Sequence, residues 1–262
     1  WYSPEEFRYG KYDLAYQRKE YTNTKAIDKM WNVIAISRYL EKHFHNRANK
    51  VIRIPVIMDV SNIEYRINVE SSKKIIFSYA GGPGKKDFLK EIINGFALLD
   101  SRELQKIELN IIGVNKEQLI DMCEVDKNAI SILGSSLKIH GRVKRDIAMK
   151  YIMKSDYSLL IRDENLRYAK AGFPTKIVES LACGTPPLCN YSSDLELYLN
   201  DKKNSIIANG HSPEDVCDAI RKAIGIMGEK DRESMRKNAR DTAVTYFDYS
   251  TYKELLRNVC RN

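Results

Sequence analysis

Apolar and polar positions follow one another in blocks along the chain, and from about residue 74 onward these blocks become regular. Runs of consecutive apolar residues, typical of strands buried on both faces, are each followed by apolar residues at helical spacing. The strand-like runs are KIIFSYAG, KIELNIIGV, SLKIHG, DYSLLIR, PPLCN and NSIIANG. The helix-like stretches between them include KKDFLKEIINGFALL, KEQLIDMCEV, KRDIAMKYIMKS and TKIVESLA. This alternation predicts an α/β fold with a doubly wound parallel sheet.

The two ends of the chain are predicted to be mainly helical. The first thirty or so residues are charged and tyrosine-rich, and they fit one or two amphipathic helices. NVIAIS and VIRIPVIMDV are predicted strands on either side of a helix capped by Ser37, and Pro55 ends the second strand. Three helices are predicted to close the chain, over residues 213–227, about 230–247 and 249–260.

Composition and charge point to a folded protein with an anionic partner. Of 262 residues, 43% are hydrophobic, which suits one large domain or two unequal ones. A net charge of +8 suits nucleic acid, acidic lipid or a phosphorylated small molecule as a partner, although the charge alone favours a lysine-rich solvated surface. Five cysteines without a Cys-x-x-Cys spacing indicate a reducing compartment, so we expect a cytoplasmic protein. We predict no metal site.

A glycine-rich loop follows the first strand of the regular block. Gly81, Gly82 and Gly84 allow a tight turn with exposed N–H groups. Lys85 and Lys86 are predicted at the start of the next helix, where the dipole disfavours a cation unless an anion lies between them. The loop matches neither the Walker pattern nor Gly-x-Gly-x-x-Gly, so a plain turn remains an alternative to a phosphate site.

The stretch AGFPTKIVESLACGTPPL places a helix N-terminus after a strand. The N–H groups of Phe173, Thr175 and Lys176 would point out of this helix, and a helix N-terminus binds phosphate. Pro174 has no N–H group, so its place in the first turn removes no hydrogen bond. One turn further on, Glu179 could accept hydrogen bonds from the vicinal hydroxyls of a ribose, or it could merely complement the dipole.

Two arginines are candidates for the same edge of the sheet. Arg142 follows a predicted strand beside Gly141, and Arg162 ends another predicted strand. Right-handed crossovers bring the carboxyl ends of parallel strands to one edge, where α/β sheets bind ligands. The alternative for Arg142 is an ordinary surface arginine at the start of a helix.

These segments together resemble the group-one (family four) retaining glycosyltransferases of GT-B fold, specifically their C-terminal donor-binding part. The resemblance rests on GFPTKIVESLACGTPPL followed by Asn190, on FSYAGGPGKKDFLKEIINGFALL, and on LNIIG, KIHGRV and DYSLLIR in the same order. It implies a Rossmann-like nucleotide-sugar-binding domain over 63–245, preceded by the C-terminal portion of an acceptor domain over 1–62. Residues 246–262 would form a C-terminal crossover helix, and we expect the chain to be an incomplete fragment of the full fold.

The resemblance also implies an activity: transfer of a hexose from a nucleotide-diphosphate sugar to a glycan or lipid-linked acceptor with retention, in cell-surface polysaccharide biosynthesis. Backbone groups of the turn from Gly172 to Thr175 would contact the diphosphate, Glu179 would bind the ribose, and Lys85 or Lys86 would neutralise the leaving group. The implied catalytic residues are Lys85, Lys86 and Arg142, and the implied substrate-binding residues are Gly81, Gly82, Arg162, Gly172, Phe173, Pro174, Thr175, Lys176 and Glu179. No metal or other cofactor is expected.

The chain departs from the family pattern at the position that usually contacts the donor sugar. Ala171 stands where the family has a second glutamate, so we expect other residues, such as Asp163, Glu164 or Asn165, to contact the sugar. A nucleotide-sugar epimerase and a non-catalytic nucleotide-binding GT-B module therefore stay open as alternatives. The expected location is the cytoplasm, with an anionic membrane at the inner face of the plasma membrane as a further candidate partner. Nucleic acid is not an expected partner.

Overall fold

The structure, a computed structural model, describes residues 1–25, 32–68, 74–82, 86–226 and 228–260. The tyrosine-rich start forms α1 (Leu14–Thr24), which follows short 3-10 turns at Pro4–Glu6 and Gly10–Tyr12. Asp13 caps α1, because its carboxylate accepts a hydrogen bond from the Ala15 N–H at 2.9 Å. Although the sequence predicts amphipathic helices here, none of the α1 residues is buried.

A small parallel sheet follows, made of β1 (Asn32–Ala35) and β2 (Lys50–Arg53). The two strands are joined by α2 (Arg38–Phe44), and Ser37 caps this helix as the sequence predicts, accepting a hydrogen bond from the Leu40 N–H. The Ser37 hydroxyl also donates to the Ala171 carbonyl at 2.9 Å, which ties the small sheet to the larger body of the protein.

The larger sheet has six parallel strands in the order β5-β4-β3-β6-β7-β8. The strands are β3 (Ile75–Ala80), β4 (Ile107–Ile112), β5 (Leu137–Ile139), β6 (Tyr157–Leu160), β7 (Pro187–Asn190) and β8 (Ile206–Ala208). Phe77 of β3 lies between Leu109 of β4 and Tyr157 of β6 in the register. The chain therefore winds outward from β3 on one side, returns to β6, and winds outward on the other side, which is the Rossmann order.

Helices cover both faces of this sheet, as right-handed crossovers require. They are α3 (Leu89–Ala97), α4 (Ser101–Gln105), α5 (Lys116–Asp121), α6 (Lys127–Leu133), α7 (Arg145–Lys154), α8 (Arg167–Ala171), α9 (Thr175–Ala182), α10 (Pro213–Gly225), α11 (Glu229–Phe247) and α12 (Lys253–Cys260). Helix α3 packs against α6 and α10, while α9 packs against α7 and α11. The predicted doubly wound α/β fold is thus confirmed. Within the described residues, no helix combines the length and apolarity needed to cross a bilayer.

Two buried aromatic groups mark the cores on the two sides of the sheet. Phe77 contacts Phe96 and Tyr157, with ring centroids 5.2 and 5.4 Å apart. Phe173 contacts Tyr198 and Phe247 at 5.7 and 5.6 Å. Since fully buried aromatic rings contribute a large share of core stability, both layers of helices are firmly attached to the sheet.

Helix α11 fastens the second layer through two buried arginines. Arg236 donates to the Met153, Ser155 and Arg66 carbonyls at 2.7, 2.5 and 2.9 Å. Arg240 donates to the Ala182 carbonyl and, at 3.0 Å, to the Val60 carbonyl. Carbonyls at a helix C-terminus lack intrahelical partners, so these arginines cap the ends of α7 and α9.

Candidate functional site

The order of the six strands locates the candidate site. Strand order reverses between β3 and β6, and ligands of such sheets bind outside the carboxyl ends of the strands at this point. Gly81 and Gly82 follow β3, and Arg162 follows β6 by two residues. The side chain of Asn190 fixes this second loop: it accepts a hydrogen bond from the Arg162 N–H at 3.0 Å and donates to the Arg162 carbonyl at 2.7 Å.

A cavity of about 560 Å³ opens at this edge, on the side of β4 and β5. That volume lies within the range of about 300–1,000 Å³ typical of small-molecule sites. It brings together five residues predicted from sequence: Gly81, Gly82, Arg142, Lys176 and Glu179. We call it the first cavity.

Lys176 of α9 lies directly over the Gly81 turn. A Cβ atom at position 81 would collide with the Lys176 ammonium and with the Tyr79 hydroxyl, so a larger residue there would displace the lysine from its place over the turn. The Gly81 N–H donates to the Ile112 carbonyl at 2.9 Å, which holds the turn against the end of β4. The turn therefore serves to bring a lysine side chain close to the backbone at the switch point.

Asp87 joins Lys176 to Arg162. Its Oδ1 atom accepts a hydrogen bond from Arg162 Nε at 3.0 Å, and its Oδ2 atom is paired with Lys176 Nζ. The Tyr79 hydroxyl donates to the same Oδ2 at 3.3 Å and accepts from Lys176 Nζ at 3.1 Å. Burial disfavours the carboxylate, but the two cations outweigh burial and hold the pKa of Asp87 below its usual value. Burial, with Asp87 nearby, raises the pKa of Tyr79.

Glu179 lies three residues after Lys176, so the two side chains share one face of α9. Its Oε1 atom accepts hydrogen bonds from Arg145 Nη2 at 2.7 Å and from Arg145 Nε at 3.2 Å. Both contacts use the same oxygen, which leaves Oε2 of Glu179 for a ligand. Arg145, at the start of α7, also lines the first cavity.

The first turn of α9 points toward this edge without a side-chain cap. Pro174 is the N-cap residue, and no side chain accepts from the first N–H groups there. Thr175 is exposed, and the Gly172 N–H donates to the Tyr168 carbonyl at 2.9 Å. Phe173 anchors the turn from below, because its ring lies in the buried aromatic group with Tyr198 and Phe247.

A second cavity, of about 830 Å³, adjoins the first at Gly82, which lines both. Lys86 and Arg162 line it together with residues of the N-terminal segment. Lys86 Nζ pairs with Glu6 Oε2 at 3.0 Å and lies 4.7 Å from the centroid of the Tyr2 ring. The prediction that Lys85 neutralises a diphosphate stays a prediction, because this residue lies outside the described part of the chain.

Lys86 is not part of the following helix, contrary to the sequence expectation. Helix α3 begins at Leu89, and the Phe88 N–H donates to the Ile161 carbonyl at 2.9 Å. This bond, together with the pairing of Asp87, holds residues 86–88 as a non-helical crossing at the end of β6. Lys86 therefore belongs to a loop between the two cavities rather than to a helix N-terminus.

Ala171, where the family pattern has a glutamate, is buried. It packs in a cluster with Ala35, Leu40 and Phe44 of the small sheet and α2. A carboxylate at this position would be buried without water, which is unfavourable. Alanine at position 171 is therefore compatible with the packing of the small sheet, and glutamate is not.

Asp163, Glu164 and His211 are the group of described residues that could hold a metal ion, with ligand atoms within 4.8 Å of one another. Glu164 Oε2 is already engaged, because it accepts from Asn190 Nδ2 at 2.9 Å and lies 3.0 Å from His211 Nδ1. The group is thus an internal polar network, and the expected absence of a metal stays a prediction.

Sequence reasoning did not identify Asp87, Arg145 or Tyr79. Asp87 directly follows the Lys85–Lys86 pair, but its partners Lys176 and Arg162 are distant in sequence. Only the topology brings these groups together. The position of Arg145, three residues after Arg142 at the start of α7, was the one available local signal.

The described geometry can be compared with that of known proteins. The model of the family described as Glycosyl transferases group 1 matches residues 61–242. A sucrose-phosphate synthase from Thermosynechococcus elongatus is similar with a TM-score of 0.74 and 13% identity, over 94% of this chain and 61% of that chain. A glycosyltransferase from Rickettsia africae is similar with a TM-score of 0.70 and 13% identity, over 96% and 69% of the two chains.

HepE from Anabaena, solved in complex with UDP and glucose, is similar with a TM-score of 0.71 and 16% identity. That match covers 99% of this chain and 69% of HepE. No curated protein sequence matches the chain. The chain thus spans 61% of the synthase and 69% of the other two structures, and at these identities the likeness shows the fold.

Proposed function

Since the chain belongs to the group 1 glycosyl transferases, we propose that it transfers a hexose from a nucleotide-diphosphate sugar to a glycan or lipid-linked acceptor, with retention. The first cavity holds the nucleoside diphosphate, and the sugar extends toward the second cavity across Gly82. HepE, which binds UDP and glucose, makes UDP the first nucleotide to test.

One observation carries this proposal: Lys176 and Glu179 stand on one face of α9 and line the same cavity. An ammonium over a glycine turn, beside an uncapped helix N-terminus, suits a diphosphate. A carboxylate one turn further along suits the vicinal hydroxyls of a ribose. The two side chains would therefore contact the diphosphate and the ribose of one ligand.

The chemistry follows from where negative charge develops. As the glycosidic bond breaks, the departing diphosphate gains charge, and preorganised donors that face it lower the barrier. Lys176 and the N–H groups of α9 would contact this charge, with Lys86 and Arg162 on the side of the sugar. An acceptor hydroxyl then attacks the oxocarbenium-like carbon from the face that the diphosphate leaves, and the hydroxyl proton passes to the departing diphosphate oxygen.

The acceptor and the cellular role are proposed at a coarser level. A net charge of +8 suits an anionic membrane at the cytoplasmic face, where lipid-linked acceptors of cell-surface polysaccharides are elongated. The chain spans only part of the length of its structural relatives, so acceptor binding is proposed only of the whole protein, whatever its length.

Calorimetric titration with UDP, GDP and ADP, with and without a chelator, tests the donor site. We expect one of them to bind in both conditions, and Glu179→Gln to weaken it by about 1.5–3 kcal/mol, as for a hydrogen bond to a charged group. Glu214→Gln, at an exposed carboxylate in the first turn of α10, is the matched control and should leave binding unchanged. Failure of all three nucleotides to bind would refute the proposal.

Burial of Ala171 favours one alternative, a nucleotide-binding module without transferase activity. With no glutamate facing the sugar, the site could hold the nucleotide without positioning the reacting carbon. Release of free or transferred sugar from the nucleotide sugar that binds would exclude this alternative. Release of an epimerised free sugar without acceptor would instead indicate an epimerase.

A further inference from the structure

Asp87 engages its two cations through different oxygen atoms. Oδ1 accepts from Arg162, which lines the second cavity, and Oδ2 pairs with Lys176, which lines the first. The carboxylate side chain is only 11% exposed, whereas that of Lys176 is 27% exposed. The carboxylate is thus largely buried in the wall of the second cavity, and of its two cations Arg162 lines that cavity while Lys176 lines the first.

Both cations keep donors for a ligand while they are held. An ammonium has three N–H donors. Within the described residues, Lys176 uses two of them, for Asp87 and Tyr79, which leaves the third for the first cavity. The guanidinium of Arg162 meets Asp87 through Nε, and in the part of the chain that the structure describes its terminal nitrogens have no hydrogen-bond partner, so they are the donors that could serve the second cavity. A carboxylate that blocked the ligand site would be expected to accept from the donors that face the cavities, whereas Asp87 accepts from other donors of the two cations.

We propose that Asp87 is a positioning residue of the donor site: it orients Lys176 and Arg162 so that their remaining donors meet a diphosphate at the switch point. This role rests on the proposed nucleotide-sugar function. It acts through charge and geometry together, because one enclosed carboxylate sets the direction of two separate cations.

Replacement by asparagine isolates this role with almost no change of volume. An amide has one acceptor oxygen and an NH₂ group that faces a cation unfavourably, so it cannot hold both partners. Asp87→Asn should weaken binding of UDP, or whichever nucleoside diphosphate the wild type binds best, by tenfold or more. Inorganic pyrophosphate should lose a similar factor, while the corresponding nucleoside should stay within twofold.

Two further variants make the test specific. Asp87→Glu keeps the charge on a longer side chain and should lie between the wild type and the Asn variant. Glu91→Gln neutralises a carboxylate in the first turn of α3, lines neither cavity and should match the wild type. Should Asp87→Asn not fold, Asp87→Glu decides alone: a loss for the diphosphate without a loss for the nucleoside supports the role, and an equal loss overturns it.

A double-mutant cycle separates positioning from simple stabilisation. Because Asp87 acts partly through Lys176 and partly through Arg162, Asp87→Asn should cost clearly less affinity in a Lys176→Met background than in the wild type, whereas independent effects would add in full. Additive losses, or tighter binding by Asp87→Asn alone, would overturn the inference. If the wild type binds no nucleoside diphosphate or pyrophosphate, the proposed function fails first and this role fails with it.

Discussion

The two ends of α9 differ in how their backbone groups are satisfied. At the N-terminus, Pro174 provides no side-chain cap, and the first turn faces a cavity lined by Lys176. At the C-terminus, the Ala182 carbonyl is bound by Arg240, which is 9% exposed. One end of this helix is closed by the protein itself, while the other is left open for a ligand.

The same contrast separates two sets of cations. Arg236 is 3% exposed, donates hydrogen bonds to three main-chain carbonyls and does not line the first cavity. Lys176 and Arg162 share one carboxylate and keep donors that face cavities. A buried basic residue that donates to main-chain carbonyls therefore stabilises the fold. A basic residue that still has donors facing a cavity is a candidate for binding an anion.

The largest expected effect lies on the structural side of this comparison. Arg236→Met should lower the free energy of unfolding by about 3–5 kcal/mol, since it leaves buried carbonyls unsatisfied at about 1–3 kcal/mol each. Burial, partly offset by Asp156, lowers the pKa of Arg236 to about 10, so the arginine is charged at neutral pH. Urea denaturation measures the loss, and Lys237→Met, at an exposed neighbour, should change stability by less than about 0.5 kcal/mol.

If Arg236→Met lowered the free energy of unfolding by less than about 1 kcal/mol, Arg236 would not have the structural role that the comparison gives it. It would mean that the carbonyls of α7 find other partners, and that donor counting does not identify a structural arginine. The affinity of the folded variant for a nucleoside diphosphate should equal that of the wild type.

Lys176→Met should show the opposite pattern. Affinity for a nucleoside diphosphate should fall about 10–100-fold, as for loss of a hydrogen bond to a charged group, while unfolding changes by no more than about 1–2 kcal/mol. Calorimetry with UDP and uridine provides the measurement. Equal losses for both ligands would place Lys176 near the base or ribose rather than the diphosphate.

Patterns in the sequence were sufficient for the fold because both faces of the sheet are covered. Strands such as β3 and β6 come from mostly apolar runs, and Ser37 marks a helix start because its side chain caps the helix. Helix α8 was not predicted, since it has five residues, no side-chain cap and a charged loop before it. One of its buried residues, Ala171, packs against the small sheet and α2, a contact that no local pattern reveals.

The candidate site was predictable in part, for the same physical reason. Gly81 and Glu179 lie at strand and helix ends that any doubly wound sheet brings to one edge. The pairing of Asp87 with Lys176 and Arg162 depends instead on the path of residues 86–88. These residues cross the end of β6 instead of forming the first turn of the expected helix. Contacts between loops far apart in sequence follow from the folded topology rather than from spacing.

Arg145→Ala should have a smaller effect than Lys176→Met, because Arg145 acts on the ligand through Glu179. Its side chain is 66% exposed, and exposed ion pairs contribute up to about 1 kcal/mol. We expect nucleoside and nucleoside diphosphate affinity to fall together by about three- to fivefold in calorimetric titrations. If only diphosphate binding falls, Arg145 contacts phosphate directly and Glu179 needs no support from it.

Arg142→Met should have the smallest effect and sets the limit of the comparison. Arg142 is exposed at the rim of the first cavity, where solvent screens its charge, so we expect a change of about twofold or less in nucleoside diphosphate affinity. The sequence alone nominated it as a catalytic helper beside Lys86. A tenfold loss of affinity would show that the Arg142 side chain moves onto the diphosphate when the ligand binds. The exposure of a cation in the ligand-free site would then not predict how much it contributes to binding.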